Sequence, residues 1–292
     1  MRTLRMLLPA LLVGLVLPAT VSAPATTVPP TPTLVGIRAA HHPGYDRIVF
    51  DFRNGVPAGV RVRFVDQLIG DPSGQPVRIS GRGIVQVVFT PAKAHDASGP
   101  TAPERTQYAL PNIMTAVRAG DFEGYTTYGI GLAKKTSFHM FTLRDPARVV
   151  IDVRAAFRTV QRPVWFFDVD NFVANHRPFF RSVQRPVPAT APGVGVLDRL
   201  FAGPLPSERA NGLRLLRSGA TGFTRLSIAD QIARVHLTGT CSSGGSTVTV
   251  AGEIMPSLRA FDTVRWVKIY DQDGQTEQPT GQSDSIPECL EP

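Results

Sequence analysis

The chain has 292 residues, 42% of them hydrophobic and 18% charged, with a formal net charge of +8. This composition excludes a wholly disordered protein and allows two ordinary domains with packed cores. The positive balance suits anionic wall polymers or lipid head groups, although charges scattered through strand-like segments read first as a general solvated surface, and the lack of a basic run or a base-reading motif argues against nucleic acid.

The N-terminus reads as an export signal. Arg2 and Arg5 precede a nearly unbroken apolar run over residues 7–19, and small residues follow in Val21-Ser22-Ala23 and Ala23-Pro24-Ala25. The run is shorter than the ~20 residues needed to cross a bilayer, and Pro9 and Gly14 interrupt it. A cleaved signal peptide over residues 1–25 is therefore expected, cut after Ala25 because Pro24 fits badly behind a cut at Ala23. With no cysteine nearby, a lipoprotein is not expected, and the membrane is met only in transit. Residues 26–33 are rich in Pro and Thr and read as a stiff spacer.

Residues 34–156 alternate with period two. Ile48, Phe50 and Phe52 share one face, as do Val60, Val62 and Phe64, then Val85, Val87 and Phe89, and finally Val149, Ile151 and Val153. Turn clusters separate these runs at Asn54-Gly55, Asp71-Pro72-Ser73-Gly74, Ser80-Gly81 and Asp145-Pro146. The pattern predicts an antiparallel sandwich or barrel without helices.

A Pro-containing join over residues 158–163 marks a domain boundary, and a mixed region over residues 163–292 follows. Residues 164–170 read as a buried strand. Val196, Leu197, Leu200 and Phe201 share one face of a helix over residues 192–202, which Gly203-Pro204 ends. Residues 226–228 and 232–237 predict a hairpin about Asp230. Val248, Ala251, Met255 and Leu258 fit a helix from about Ser246, although Thr247-Val248-Thr249-Val250 also suits a strand and Pro256 weakens the helix. Residues 265–270 predict a strand entering the turn Asp271-Gln272-Asp273-Gly274. The sum is an α+β domain.

Cys241 and Cys289 are the two cysteines of the chain. In an oxidising compartment they predict a disulfide tying the C-terminal tail to the body. Phe167-Asp168-Val169-Asp170 has the look of an aspartyl-phosphatase nucleophile, yet no later acidic pair plus lysine completes the set, so a strand end is expected. Asp271, Asp273, Gly274 and Glu277 have a calcium-loop flavour, but the glycine comes at the wrong position and a tight turn is the plainer reading. The six histidines, His41, His42, His95, His139, His176 and His236, show no zinc-site spacing. No catalytic constellation, metal site or cofactor site emerges, and a non-enzyme is expected.

Two resemblances cover nearly all of the expected mature chain. Val35-Gly36-Ile37-Arg38, the run from His42 through Tyr45-Asp46-Arg47-Ile48 to Phe52, Ser73-Gly74, Asp121-Phe122-Glu123-Gly124, Gly129-Ile130-Gly131-Leu132 and the run from Leu143 through Asp145-Pro146 to Asp152 resemble the AMIN-like domain of exported actinobacterial proteins. Val164-Trp165-Phe166-Phe167, Arg185-Pro186-Val187, Leu200-Phe201-Ala202-Gly203-Pro204, Glu208, Gly212-Leu213 and the strand before Tyr270 resemble the GerMN domain of sporulation, germination and other envelope proteins. The stretch around Cys241 departs from the latter pattern.

These resemblances imply a mostly-β sandwich over residues 34–156 followed by an α+β domain over residues 163–292. They also imply a secreted, wall-associated protein that binds peptidoglycan or an associated polymer. An accessory partner of a wall hydrolase or synthase is the alternative, and a hydrolase using Asp168 or Asp170 is a third reading. Candidate ligand contacts are Asp46 and Arg47, set against a plain turn-pinning pair, and Phe122 and Glu123, set against an inward Phe with a capped Glu.

Overall fold

Alternating apolar residues build the first half of the molecule. The computed structural model describes residues 29–292, so the predicted signal peptide and the first three residues of the spacer lie outside the described residues. Eleven strands come first: β1 (Thr33–His42), β2 (Tyr45–Arg53), β3 (Gly59–Val65), β4 (Gly83–Thr90), β5 (His95–Asp96), β6 (Gly99–Pro100), β7 (Arg105–Gln107), β8 (Ile113–Phe122), β9 (Tyr125–Leu132), β10 (Phe138–Arg144) and β11 (Ala147–Arg154). They form a four-stranded sheet in the order β1-β2-β11-β10, a five-stranded sheet in the order β3-β4-β9-β8-β7, and a small β5-β6 ribbon. Every pairing is antiparallel. Ile48, Phe50, Val149 and Ile151 from one sheet share a buried cluster with Val85, Val87, Phe89, Tyr128 and Ile130 from the other. This is the predicted sandwich.

The outer face of the five-stranded sheet is covered by its own chain. Leu68, Ile79 and Ser80, between β3 and β4, lie so close to Gly129 and Gly131 that a Cβ on the first would stand 2.5 Å from Leu68 and one on the second 2.2 Å from the Ser80 carbonyl, with Ile79 3.1 and 3.2 Å from the two. The glycines in β9 thus let this segment lie flat on the sheet, where Leu68 is buried with Val117 and Ala119.

The second half mixes strands and helices: β12 (Thr159–Asp168), α1 (Val169–Val173), β13 (Phe180–Pro188), α2 (Pro192–Ala202), α3 (Pro206–Ala210), β14 (Leu213–Arg214), β15 (Ala220–Ala229), β16 (Ile232–Gly239), α4 (Ala251–Arg259) and β17 (Trp266–Tyr270). The sheets run β13-β12-β14 and β15-β16-β17. Helix α4 links β16 to its parallel neighbour β17. The predicted join at residues 158–163 is mostly strand. Pro163 is tolerated there because β14 pairs only with Phe167 and Asp168, leaving that edge of β12 open. Helix α2 matches its predicted span, with Pro192 at its start and Gly203 (φ 93°) past its end. Asp230 and Gln231 take positive φ and close the β15–β16 hairpin. Helix α4 begins at Ala251, later than expected, and residues 247–250 are neither strand nor helix.

Val164, Phe166, Val196, Leu200, Val235, Ile254 and Val267 meet in a second buried cluster. Glu253 is fully buried within α4 and accepts the backbone N–H groups of Phe167 at 3.0 Å and Leu216 at 3.1 Å. The Cys241–Cys289 disulfide forms as predicted and ties the segment after β16 to the final turn.

Residues 31–292 form one compact unit. The halves meet through polar groups. Arg199 of α2 is buried and donates to the carbonyls of Tyr108 at 3.0 Å, Pro111 at 3.3 Å and Leu110. Arg82 pairs with Asp198 at 2.8 Å, Arg209 donates to Gln107, and Met114, Ala133 and Ala202 touch.

Candidate functional site

Strand parity decides which side chains reach the outer face of the four-stranded sheet. Ile48, Phe50 and Phe52 of β2 point into the sandwich, so Tyr45, Arg47 and Asp51 point away from it. Register then lines up Ala40, Arg47, Asp152 and His139 in one row across β1, β2, β11 and β10. Arg38, Val49, Val150 and Phe141 form the next row.

Arg47 is the centre of this face. Its guanidinium donates to both oxygens of Asp152, at 2.6 and 2.8 Å, and lies 5.3 Å from the ring centroids of both Tyr45 and Phe141. The hydrogen bonds from Arg47 to Asp152 raise the guanidinium pKa above its ordinary value. His42 stacks on Tyr45 (5.0 Å, 14° between planes), and His139 stacks on Phe141 (5.8 Å, 27°). A run of flat rings thus flanks a fixed cation and carboxylate. Such a surface presents stacking planes beside donors and acceptors held in one geometry, which suits a polar ring-shaped ligand.

The predicted candidates separate. Asp46 is fully buried: it accepts from His41 Nδ1 (2.7 Å) and from the N–H groups of Asn112 (2.6 Å) and Ile113 (2.9 Å). It therefore bridges the two sheets, and it forms no pair with Arg47. Neighbours on a strand face opposite ways, which rules out the turn-pinning pair. Phe122 and Glu123 lie in the β8–β9 hairpin. Phe122 is 49% exposed, where an inward side chain was the plainer expectation, and Glu123 takes a turn conformation (φ 47°). That hairpin meets Ala92, and Lys93 pairs with Thr33 at the far end of β1 from Ala40. Seven residues of strand separate the two ends, about 23 Å, so Arg47 and Phe122 share no site.

Asp168 ends β12, caps α1 through the Asn171 N–H at 3.1 Å and pairs with Arg181, as a strand-end residue would. Asp271 accepts from the N–H groups of Asp273 and Gln275 and so closes the predicted turn. Among the described residues, no three His, Cys, Asp or Glu side chains stand close enough to share a metal ion. The sequence reading missed Tyr45, Phe141, His139 and Asp152. Parity places each of them outward, but the pairing of β2 with β11, about a hundred residues on, is long-range information.

The AMIN-like domain family matches residues 32–155. Those residues, the two sheets of the sandwich, are thus similar to an AMIN-like domain. Such domains are associated with binding to the cell wall and envelope, and the AMIN-like domain and the disulfide together point to an extracytoplasmic protein. The comparisons give no support to the GerMN resemblance of residues 163–292 or to an actinobacterial source. No curated protein and no solved structure matches the chain. No helix of the described residues is long and apolar enough to cross a membrane.

Proposed function

We propose that this is an exported, non-catalytic envelope protein whose AMIN-like domain binds peptidoglycan or an associated wall polymer through the outer face of the four-stranded sheet. The observation that carries the reading is Arg47, fixed by Asp152 between the rings of Tyr45 and Phe141. Saccharide rings stack on aromatic faces, and their hydroxyl and amide groups need donors and acceptors held in register. In the same reading the signal peptide is removed, no lipid anchor is added, and the α+β half is a GerMN-like companion domain.

Cell-wall pelleting tests it. The purified chain should sediment with isolated walls at moderate salt, and Arg47→Ala combined with Phe141→Ala should leave most of it in the supernatant. Full recovery of the unaltered chain in the supernatant would sink the proposal.

A second reading, accessory partner of a wall enzyme, draws on α1. Phe172 and Val173 are 40% and 80% exposed beside Phe179, on which Arg177 lies at 4.9 Å. An apolar tip of this kind suits a protein contact. Cross-linking from Val173 in cells to one dominant protein, lost with Phe172→Ser, would favour it over wall binding alone.

A further inference from the structure

A groove of about 610 Å³ runs between the segment that covers the five-stranded sheet and the α+β half. Arg78, Arg82, Ser80 and Gln67 line one side, and Asp198, Phe201, Phe223 and Thr238 line the other. Two more arginines, outside the lining itself, reach backbone carbonyls of lining residues at its edge. Arg105 of β7 donates to the carbonyl of Arg78, and Arg217 approaches the carbonyl of Phe201 at 3.5 Å. Arg82 is paired with Asp198. Among the described residues, Arg78, Arg105 and Arg217 have no carboxylate within 4.0 Å, and Asp66 is the other acid of the lining.

Three guanidiniums are therefore gathered by the fold without a salt-bridge partner, with Glu253 acting on Arg217 from beyond that range. Arg105 and Arg217 are also half-buried. Burial and mutual repulsion pull both below their ordinary pKa, with Arg78 acting on each of them and Arg217 and Arg209 acting on Arg105. Like charges held together out of water destabilise the fold unless an anion joins them. The three come from separate segments: the covering loop, the edge strand β7, and the turn before β15. A planar carboxylate meets guanidinium forks in its own plane, whereas a tetrahedral phosphate offers oxygens to donors from several sides.

We propose that the edge of this groove, where Arg105 and Arg217 approach Arg78 and Phe201, binds a phosphate group of an anionic wall polymer, held by Arg78, Arg105 and Arg217. The polymer assignment rests on the wall-binding reading above; the phosphate site itself does not. The groove is open and larger than one phosphate, and the Phe223 ring beneath Arg82, 4.6 Å from it, is positioned for the unit that carries the phosphate. This site is distinct from the Arg47 face, which belongs to the other sheet.

The test uses tripolyphosphate as the probe, titrated calorimetrically into the full chain at fixed ionic strength, with citrate as the carboxylate comparison. Tripolyphosphate should bind more tightly than citrate, and Arg105→Gln and Arg217→Gln should each weaken it at least tenfold. Arg144→Gln, an exposed charge elsewhere, should leave it unchanged. Arg78→Gln alters an exposed loop residue and keeps the test open if a half-buried change prevents folding. Equal loss with Arg144→Gln, no loss with the three groove variants, or tighter binding of citrate overturns the proposal.

Pelleting with walls stripped of phosphate by acid then separates the two claims. Retention on stripped walls equal to that on untreated walls, still abolished by the Arg47 variant, overturns the phosphate-polymer assignment and leaves wall binding standing. Tripolyphosphate binding lost in the groove variants, with no retention on any wall, leaves the anion site standing without its polymer. Preference for phosphatidylglycerol vesicles over untreated walls would replace the polymer by a lipid head group.

Discussion

Asp46 holds the two sheets of the AMIN-like domain together at a place water does not reach. Its carboxylate satisfies the N–H groups of Asn112 and Ile113, which begin the run into β8, and anchors His41 at the end of β1. Asp46→Ala would leave two buried donors unsatisfied, at about 1–3 kcal/mol each, so a loss of about 2–6 kcal/mol is expected in urea unfolding. Arg47→Ala, one residue on and partly exposed, should cost well under half as much while removing wall retention. Equal destabilisation by the two would mean that Arg47 is a structural residue. The sequence shows Asp46-Arg47 as one charged pair, and only strand parity separates an internal tie from an external contact.

Glu253 makes a second residue-scale case. Burial raises its carboxyl well above the ordinary range, only partly offset by the N–H groups of Phe167 and Leu216 and the charge of Arg217. The folded state therefore holds a proton that the unfolded chain releases, and stability falls as pH rises through the window above the usual glutamate value of about 4.5. Glu253→Gln should flatten that decline when melting temperature is followed from acid to neutral pH. An identical slope in the variant would count against a raised Glu253.

At the scale of elements, closure of the C-terminal tail depends on one bond. The disulfide joins positions 48 residues apart, and chain-entropy reasoning gives it about 4 kcal/mol. Replacing both cysteines by serine should lower the urea midpoint accordingly while leaving the AMIN-like strands folded. Gly131→Ala acts on the other half. Its Cβ would meet the Ser80 carbonyl at 2.2 Å, so the covering segment must lift, with an expected cost of about 1–3 kcal/mol and a weaker groove for tripolyphosphate. Elements with local signals were legible in the sequence: α2 between its proline and glycine, the β15–β16 turn at Asp230, and the alternating strands. Helices α1 and α3, five residues each, carry no periodicity to read. Pro163 looked like a linker residue because the open edge that tolerates it is a property of the assembled sheet.

The whole molecule hangs on a polar junction that no local pattern announces. Each half has its own apolar core, and Arg199 spans the gap to three carbonyls of the segment between β7 and β8. Arg199→Leu keeps the bulk but leaves those carbonyls buried without donors, which should cost about 3–5 kcal/mol at the junction. Both tryptophans, Trp165 and Trp266, lie in the α+β half, so their fluorescence follows that half alone, while far-ultraviolet circular dichroism follows both. In the unaltered chain the two probes should give one urea midpoint, because the halves unfold together. In Arg199→Leu the midpoints should part, since each core then unfolds on its own. The groove arginines are held in place by the same junction, so the variant should also bind tripolyphosphate more weakly. Coincident midpoints in the variant would show that contacts other than Arg199, such as the Arg82–Asp198 pair, are enough to couple the halves.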